Sequence, residues 1–473
     1  MSRPGISALG QGDETFLSAL WIQVVGIVLF LPAMMCGLIT DEKERGTFQL
    51  LMLTDISAWE TITQKFLGGL VPMLTLLVLT LPIGGFAYLL GGLTMETVWI
   101  GSLSLALFSS SVAAISLACS SYARSTIGAF VGTYFVLGAF YIFARDLFYD
   151  VSSSTFDSGF IAFSYTHGMI TGITLLLDYQ WYETRANVAP THRLRRLFEA
   201  LDAYFVKINQ RYGGIELVKD SGRLPTKAPI LWREKQRRQL GQLRYQVRYL
   251  VVVEILAIGV PLLTFHDSFR HVTLFVWMIG SVILIAQASN LVVNERLSQS
   301  LEILMTTPLS GAAIVVQKAR SMVPLLIVIA APILTLTAMQ VLSDWLIGER
   351  PHLTIYPLLH EALHLLIFLP LFLAVGLGAR SRVAAMMRAI GIIVLWCAIP
   401  VGFLWEAIGT APPFNFHLPY LTPTGVITGH SSFTNLLPSQ QADYTLAIYA
   451  YGAITVGLFL WYFSRADQTM GRS

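Results

Sequence analysis

His360-Glu361-Ala362-Leu363-His364 is a stretch whose residue types and spacing spell out a reaction. On a helix, residues four apart share a face, so both imidazoles reach one zinc ion while Glu361 activates a bound water. A working zinc site also needs a third ligand and an open position. Glu406, His352, His417 and Asp344 fall on the same side of the membrane as this motif in the topology below, but none stands in a downstream ligand pattern. The favoured reading is the polar outer end of a membrane span, with no catalytic residue and no metal site. A zinc metalloprotease using His360 and His364 with Glu361 as base is the alternative.

Other chemistry is sparse. Cys36, Cys119 and Cys397 lie far apart in apolar runs and read as small buried side chains, not as a disulfide framework. No G-x-x-x-x-G-K-[ST] phosphate loop occurs, so ATP is not bound by that device. Glu254, Asn290 and His167 stand inside apolar runs. A carboxylate at mid-membrane costs several kcal/mol, so Glu254 belongs near an interface, paired, or facing a cavity. Asn290 and His167 either line a path or glue helices together.

The elements that must position these groups are membrane spans. Of 473 residues, 55% are hydrophobic and only 12% charged, where a soluble chain carries about a quarter. Runs long enough to span fall near 19–39, 67–90, 97–119, 126–147, 159–177, 248–265, 272–293, 321–343, 356–378, 386–405 and 443–463. The fifth is interrupted by the polar stretch at 164–167. Lys and Arg mark the cytoplasmic side. Of the 31 such residues, all but Arg3, Arg145, Arg270 and Arg350 fall on one side, which puts the N-terminus outside and the C-terminus inside. The start of the chain lacks the basic region and apolar run of a signal peptide.

Between the fifth and sixth spans lies a basic gap. Leu194, Leu197, Phe198, Leu201, Phe205, Ile208 and Tyr212 recur at helical spacing before Gly213-Gly214, with Arg193, Arg196, Lys207 and Arg211 on the other face. This is an amphipathic helix for the membrane interface; packing on a soluble partner is the competing reading. Residues 229–248, with Trp232 and several arginines, form a second interfacial helix leading into a span.

The strongest internal signal is a repeat. Shifting the chain by 253 residues aligns residues 41–57 with 294–310 without a gap. Glu42 falls on Glu295, Leu51 on Leu304, Thr54 on Thr307, Ser57 on Ser310 and Lys65 on Lys318. Thr47, Phe48 and Gln49 fall on Ser300, Leu301 and Glu302. A second echo, three residues out of step, pairs 117–125 with 373–381. Two related halves follow. Each repeat is expected to be a short surface helix, with Glu42 and Glu44, or Glu295 and Glu302, near its positive end. Ser57 with Glu60 makes a capping box that starts the next helix. In the second copy Thr307-Pro308 is expected to cap, since Ser310 has no Glu or Gln three residues later.

The pattern E-(K/R)-x-x-G-T-(hydrophobic)-(E/Q)-x-L-x-x-T-P-(L/I)-S, with a Lys about eight residues on, resembles the type-2 exporter permeases of ATP-binding-cassette transporters. The loops at 123–125 and 379–381, and the stretch at 229–234, look like that family too. The resemblance implies that each repeat is a coupling helix docking on a separate ATPase subunit. The residues it carries over are Glu42, Gly46, Thr47, Phe48, Gln49, Leu51, Thr54, Ser57 and Lys65 in the first copy. In the second they are Glu295, Ser300, Leu301, Glu302, Leu304, Thr307, Pro308, Ser310 and Lys318. This chain departs from the pattern at Asp55, where Pro is expected, and at Gln299, where Gly is expected. The family's halves have six spans each, so the resemblance implies that the first half here lacks its first span, either because that half is shortened or because the true start lies upstream. The Leu-Ser-Gly stretch at 309–311 only superficially matches the ATPase signature.

The expectation is an all-α polytopic protein of about eleven spans. Its first half is 1–178, its linker 179–247 and its second half 248–473. The implied function is the permease of an ATP-driven exporter in a bacterial cytoplasmic membrane, with no cofactor of its own; ATP and Mg belong to two copies of a partner ATPase. Lipid and an unidentified exported substrate are the other partners, and nucleic acid is not one. A membrane scaffold that kept the fold without transport is a further alternative. The segment 407–441 is a candidate for gating the exit.

Overall fold

The computed structural model describes residues 12–153, 156–186, 228–237, 268–346 and 355–398, with isolated positions between 250 and 259 and between 453 and 464. Among these the chain is all α-helix. The first group of helices is α1 (Gly12–Met35), α2 (Gly37–Arg45), α3 (Phe48–Met52), α4 (Ala58–Leu89), α5 (Met95–Tyr122), α6 (Thr126–Ser153) and α7 (Phe156–Ala186). Then come α8 (Pro229–Arg237), α9 (Ser268–Leu297), α10 (Ser300–Met305), α11 (Gly311–Arg320), α12 (Val323–Leu346), α13 (Ile355–Gly378) and α14 (Arg382–Ala398).

Five of the described helices are long and apolar enough to cross a membrane: Thr15–Arg45, Ala58–Leu89, Met95–Tyr122, Phe275–Leu297 and Gly311–Met339. Several carry proline inside the span, as at Pro32, Pro72, Pro82 and Pro332. Membrane helices tolerate this because neighbours and hydroxyls satisfy the freed carbonyls. The polar stretch at 164–167 does not interrupt α7, which runs through it. Its hydroxyls and ring turn toward α5 instead: Ser164 meets Ser104 at 2.8 Å, Thr171 meets Ser110 at 3.0 Å, and His167 Nδ1 meets Ser111 at 2.8 Å. His167 thus glues two helices. Asn290 is buried and bonds its own helix at the Ala286 carbonyl. Glu254 accepts a hydrogen bond from Thr335 on α12 at 2.7 Å. The amphipathic stretch at 191–214 and the segment 407–441 lie outside the described residues, as do most of the spans expected at 248–265 and 443–463.

Two apolar cores hold the bundle. One lies within the first group of helices, around Leu31, Ile39, Ile62, Phe66 and Leu117. The other joins Ala33, Cys36, Phe130 and Tyr134 of the first group to Trp277, Leu284, Phe368 and Phe372 of the second. The seam between the groups pairs α6 with α9 and α1 with α14. Phe135 meets Phe275 there with ring centroids 6.0 Å apart. Within the second group α13 lies so close to α9 that a Cβ on Gly376 would overlap the Ser289 carbonyl, the close approach that glycine permits in membrane helix packing.

Candidate functional site

Both short helices sit at one end of the bundle, each between the end of one span and the start of the next. The chain leaves α2 through Gly46, in the left-handed conformation at φ 73°, and leaves α9 through Gln299 at φ 54°. These two positions are 253 residues apart, so the sequence departure at Gln299 keeps the backbone conformation that glycine adopts freely. The following hydroxyl bonds back in both copies: Thr47 Oγ1 donates to the Glu42 carbonyl at 3.3 Å, and Ser300 Oγ to the Glu295 carbonyl at 3.4 Å. The short helix is then ended by a second hydroxyl. Thr54 Oγ1 donates to the Leu51 carbonyl and Thr307 Oγ1 to the Leu304 carbonyl, each at 2.6 Å.

The next helix starts at the same place in both copies. The Ser57 side chain accepts from Glu60 N at 3.2 Å, and Glu60 returns a bond to Ser57 N at 3.0 Å, the expected capping box. In the second copy Ser310, not Thr307-Pro308, is the cap, accepting from Ala313 N at 3.2 Å. Pro308 lies in the turn before it. An N-cap needs only its own side-chain oxygen; what Ala313 cannot supply is the reciprocal bond.

An ion-pair brace closes each turn, half-buried in the first copy and buried in the second. Lys65 Nζ pairs with Glu42 at 2.6 Å and donates to the Leu38 carbonyl at 2.7 Å. Lys318 Nζ pairs with Glu295 at 3.1 Å and approaches the Leu291 carbonyl at 3.5 Å. All three partners obey the 253-residue shift. The second brace is larger and drier. Glu295 also pairs with Arg233, and Lys318 with Glu234 at 3.2 Å, both from α8. Gln317 Oε1 accepts from Ile230 N at 3.1 Å, which holds the start of α8 on α11. Amphipathic α8 buries Ile230 and Glu234 and exposes Trp232.

A further pair of contacts ties each turn to the next span. Lys43 Nζ donates to the Ala123 carbonyl at 3.1 Å and to the last carbonyls of α5, where a helix end favours a cation. Arg296 donates to the Ala379 carbonyl at 2.8 Å. Ser125 and Ser381 cap the helices that follow, through Gly128 N at 3.1 Å and Ala384 N at 3.2 Å. Glu42 and Glu44 do not flank the start of α3 as expected; they lie in the last turns of α2, and Glu44 instead serves α6, accepting from Thr126 N at 2.8 Å.

The residues singled out from sequence therefore divide. Glu42, Thr47, Thr54, Ser57 and Lys65, with Glu295, Ser300, Thr307, Ser310 and Lys318, build the turns. Gly46 sets the first backbone reversal. Phe48 is buried against Tyr182 of α7, ring centroids 5.2 Å apart, and Leu304 is buried too. Leu51 is half-buried; Gln49 and Pro308 are exposed. The side chains of Leu301 and Glu302 lie outside the described residues. What faces outward was not foreseen: Leu50 is 65% exposed, Leu53 82% and Ile303 69%. Leu50 and Ile303 are again 253 residues apart, and the signal was available: a one-turn helix made mostly of apolar residues cannot bury all of them, so those between the buried positions are left facing out.

His360, Glu361 and His364 share α13, with His364 buried; the side chains of His360 and Glu361 lie outside the described residues. Among the described residues no cluster of three or more His, Cys, Asp or Glu is placed to hold a metal ion. Of the candidate third ligands, Asp344 falls in α12 with its side chain outside the described residues, and His352, Glu406 and His417 lie outside them altogether.

Paired helix–turn–helix ends on a bundle of membrane-crossing helices define a class, the polytopic transport permease. The profile of the family described as "ABC-2 family transporter protein" matches residues 226–468, and the chain belongs to that family. It is an integral membrane protein and an ABC transporter permease; the family is normally the non-catalytic membrane subunit and implies association with an ABC ATPase. No curated protein and no solved structure matches the chain.

Proposed function

We propose that the chain is the complete membrane pathway of an ATP-driven exporter. Residues 1–178 and 248–473 are two related permease halves joined by the basic linker 179–247. The helices α3 and α10 each dock on an ATPase subunit, two in all, and carry its motion into the spans. The chain itself performs no covalent chemistry and holds no cofactor; ATP and Mg belong to the partner. The Lys/Arg bias supports a cytoplasmic α3/α10 end, with the N-terminus outside and the C-terminus inside; the membrane we assign is the cytoplasmic membrane of a bacterium.

The observation that carries this reading is the brace repeated around both short helices. A turn that has only to connect two spans has no need of an ion pair, two hydroxyl locks and a cap in the same register twice. Rigidity is what a lever requires: a push on α3 or α10 passes into α4 or α11 without being absorbed in the turn. The outward residues supply the contact. Apolar side chains ringed by polar ones are the usual centre of a docking surface.

The test is co-purification of the full chain with its ATPase after gentle solubilisation. Leu50→Arg together with Ile303→Arg is expected to abolish co-elution while leaving thermal unfolding of the chain unchanged. Persistent association with both arginines in place would overturn the assignment of these faces.

A further inference from the structure

The two turns are alike within themselves but not in how they meet the opposite half. On the first side, Glu44 stands at the end of α2, two residues before Gly46. One carboxylate oxygen accepts from Thr126 N at the start of α6. The carboxylate also forms an ion pair with Arg382, the first residue of α14 in the other group of helices. The Arg382 Nε in turn donates to Asn294 Oδ1 of α9 at 2.7 Å. A single carboxylate therefore links α2 to α6 on its own side and to α14 and α9 across the seam. Asp41 stands beside it, accepting from Thr126 Oγ1 at 3.0 Å.

The mirrored contact carries no charge. The 253-residue shift that maps one turn on the other puts Leu297 in the place of Glu44 and Asn294 in that of Asp41. The 256-residue shift that maps Ala123 on Ala379 puts Thr126 in the place of Arg382. Leu297 is about half exposed and has no group to reach across with. Both side chains of the existing pair are largely buried, 22% and 17% exposed for Arg382 and Glu44. Charges so withdrawn from water bind firmly when paired and are costly when separated. Among the described residues, the first turn is fastened to the opposite half in this way through Glu44, and the mirrored Leu297 is not.

We propose that Glu44 is a positioning residue through which the first coupling turn, and not the second, controls the seam between the halves at the cytoplasmic end. Displacing α3 moves Glu44, which draws on Arg382 and the start of α14. The second turn moves α11, and at the position that mirrors Glu44 it offers the first half only the uncharged Leu297. Two ATPase contacts that look equivalent in sequence thus do unequal work. The inference rests on the reading of α3 and α10 as coupling helices.

The test uses the full chain with its ATPase and two readouts, thermal unfolding of the chain and ATP turnover of the complex. The variants are Glu44→Gln, Arg382→Gln, the two combined, and the exchange Glu44→Arg with Arg382→Glu. Leu297→Gln, at the mirrored position, is the control. Each single variant is expected to raise turnover several-fold while the ATPase still co-elutes, because the seam opens without being driven. The combined variant should match either single one, and the exchange should return both readouts toward the unaltered chain. Leu297→Gln should change neither. Co-elution with additive single effects, or a control as strong as Glu44→Gln, overturns this inference alone. If no ATPase co-elutes with the unaltered chain, the docking reading falls and this inference with it.

Discussion

At the scale of single residues, the two lysine braces are the same contact in different surroundings. Lys318 is 3% exposed and faces two carboxylates that are almost as buried, Glu295 and Glu234. Lys65 and Glu42 are 18% and 31% exposed. Replacing Lys318 by Met leaves two buried carboxylates with Arg233 as the remaining cation, a loss of about 3–5 kcal/mol. Lys65→Met removes a pair that water already screens, worth about 1 kcal/mol. Thermal unfolding in detergent should therefore rank Lys318→Met well below Lys65→Met, and equal losses would show that burial does not separate the braces. Gln299 gives a prediction of opposite sign. It holds a left-handed backbone at φ 54°, which costs a side-chain-bearing residue about 1 kcal/mol relative to glycine. Gln299→Gly should raise the unfolding temperature and Gly46→Gln should lower it. The matched pairs Glu42/Glu295 and Lys65/Lys318 were legible as a repeat in the bare sequence. Their role as internal braces was not, because a charged residue reads as a surface residue until the element packed against it is known.

At the scale of elements, the starts of α4 and α11 decide whether each turn is stiff. Ser57 closes a reciprocal box with Glu60, whereas Ser310 caps alone. Removing either serine by alanine costs about 1 kcal/mol of local helix stability. Hydrogen exchange is the suitable readout, since it reports local opening. Ser57→Ala should speed exchange at Glu60 N and its neighbours, Ser310→Ala at Ala313 N, with the rest of each span unchanged. If Ser310→Ala instead leaves the first turn of α11 protected, Thr307 and Pro308 hold it after all. The cap was misplaced in the sequence reading because proline at a first helical position is a strong signal, while a serine without a glutamate three residues on looked incomplete. The register of the repeat pointed to Ser310 all along, since it lies 253 residues after Ser57. The reading of α7 failed for a related reason. Its polar residues look like a break in a hydropathy profile, yet they face the hydroxyls of α5, a pairing no local pattern displays.

At the scale of the whole molecule, the arrangement across the seam was the least legible feature. Contacts of α6 with α9 and of α1 with α14 join residues more than a hundred positions apart, and nothing local marks them. The all-helical, membrane-crossing character of the described residues, by contrast, followed from apolar length, and a common end for the two turns from the clustering of Lys and Arg. That clustering also predicts an orientation that can be measured. Asp55, beyond α3, is exposed at the end that carries both turns; Glu96, in the first turn of α5, is exposed at the opposite end. Cytoplasmic loops hold the positive charge, so Asp55→Cys should react with a membrane-impermeant thiol reagent only after cells are permeabilised. Glu96→Cys should react in intact cells. Cys36 is buried and Cys119 partly so, within membrane-crossing helices; Cys397, the third cysteine, is replaced by serine in the background used for labelling. Labelling of Asp55→Cys from outside would invert the molecule. The short helices would then face away from any cytoplasmic ATPase, and the coupling role of α3 and α10 would fall with the orientation.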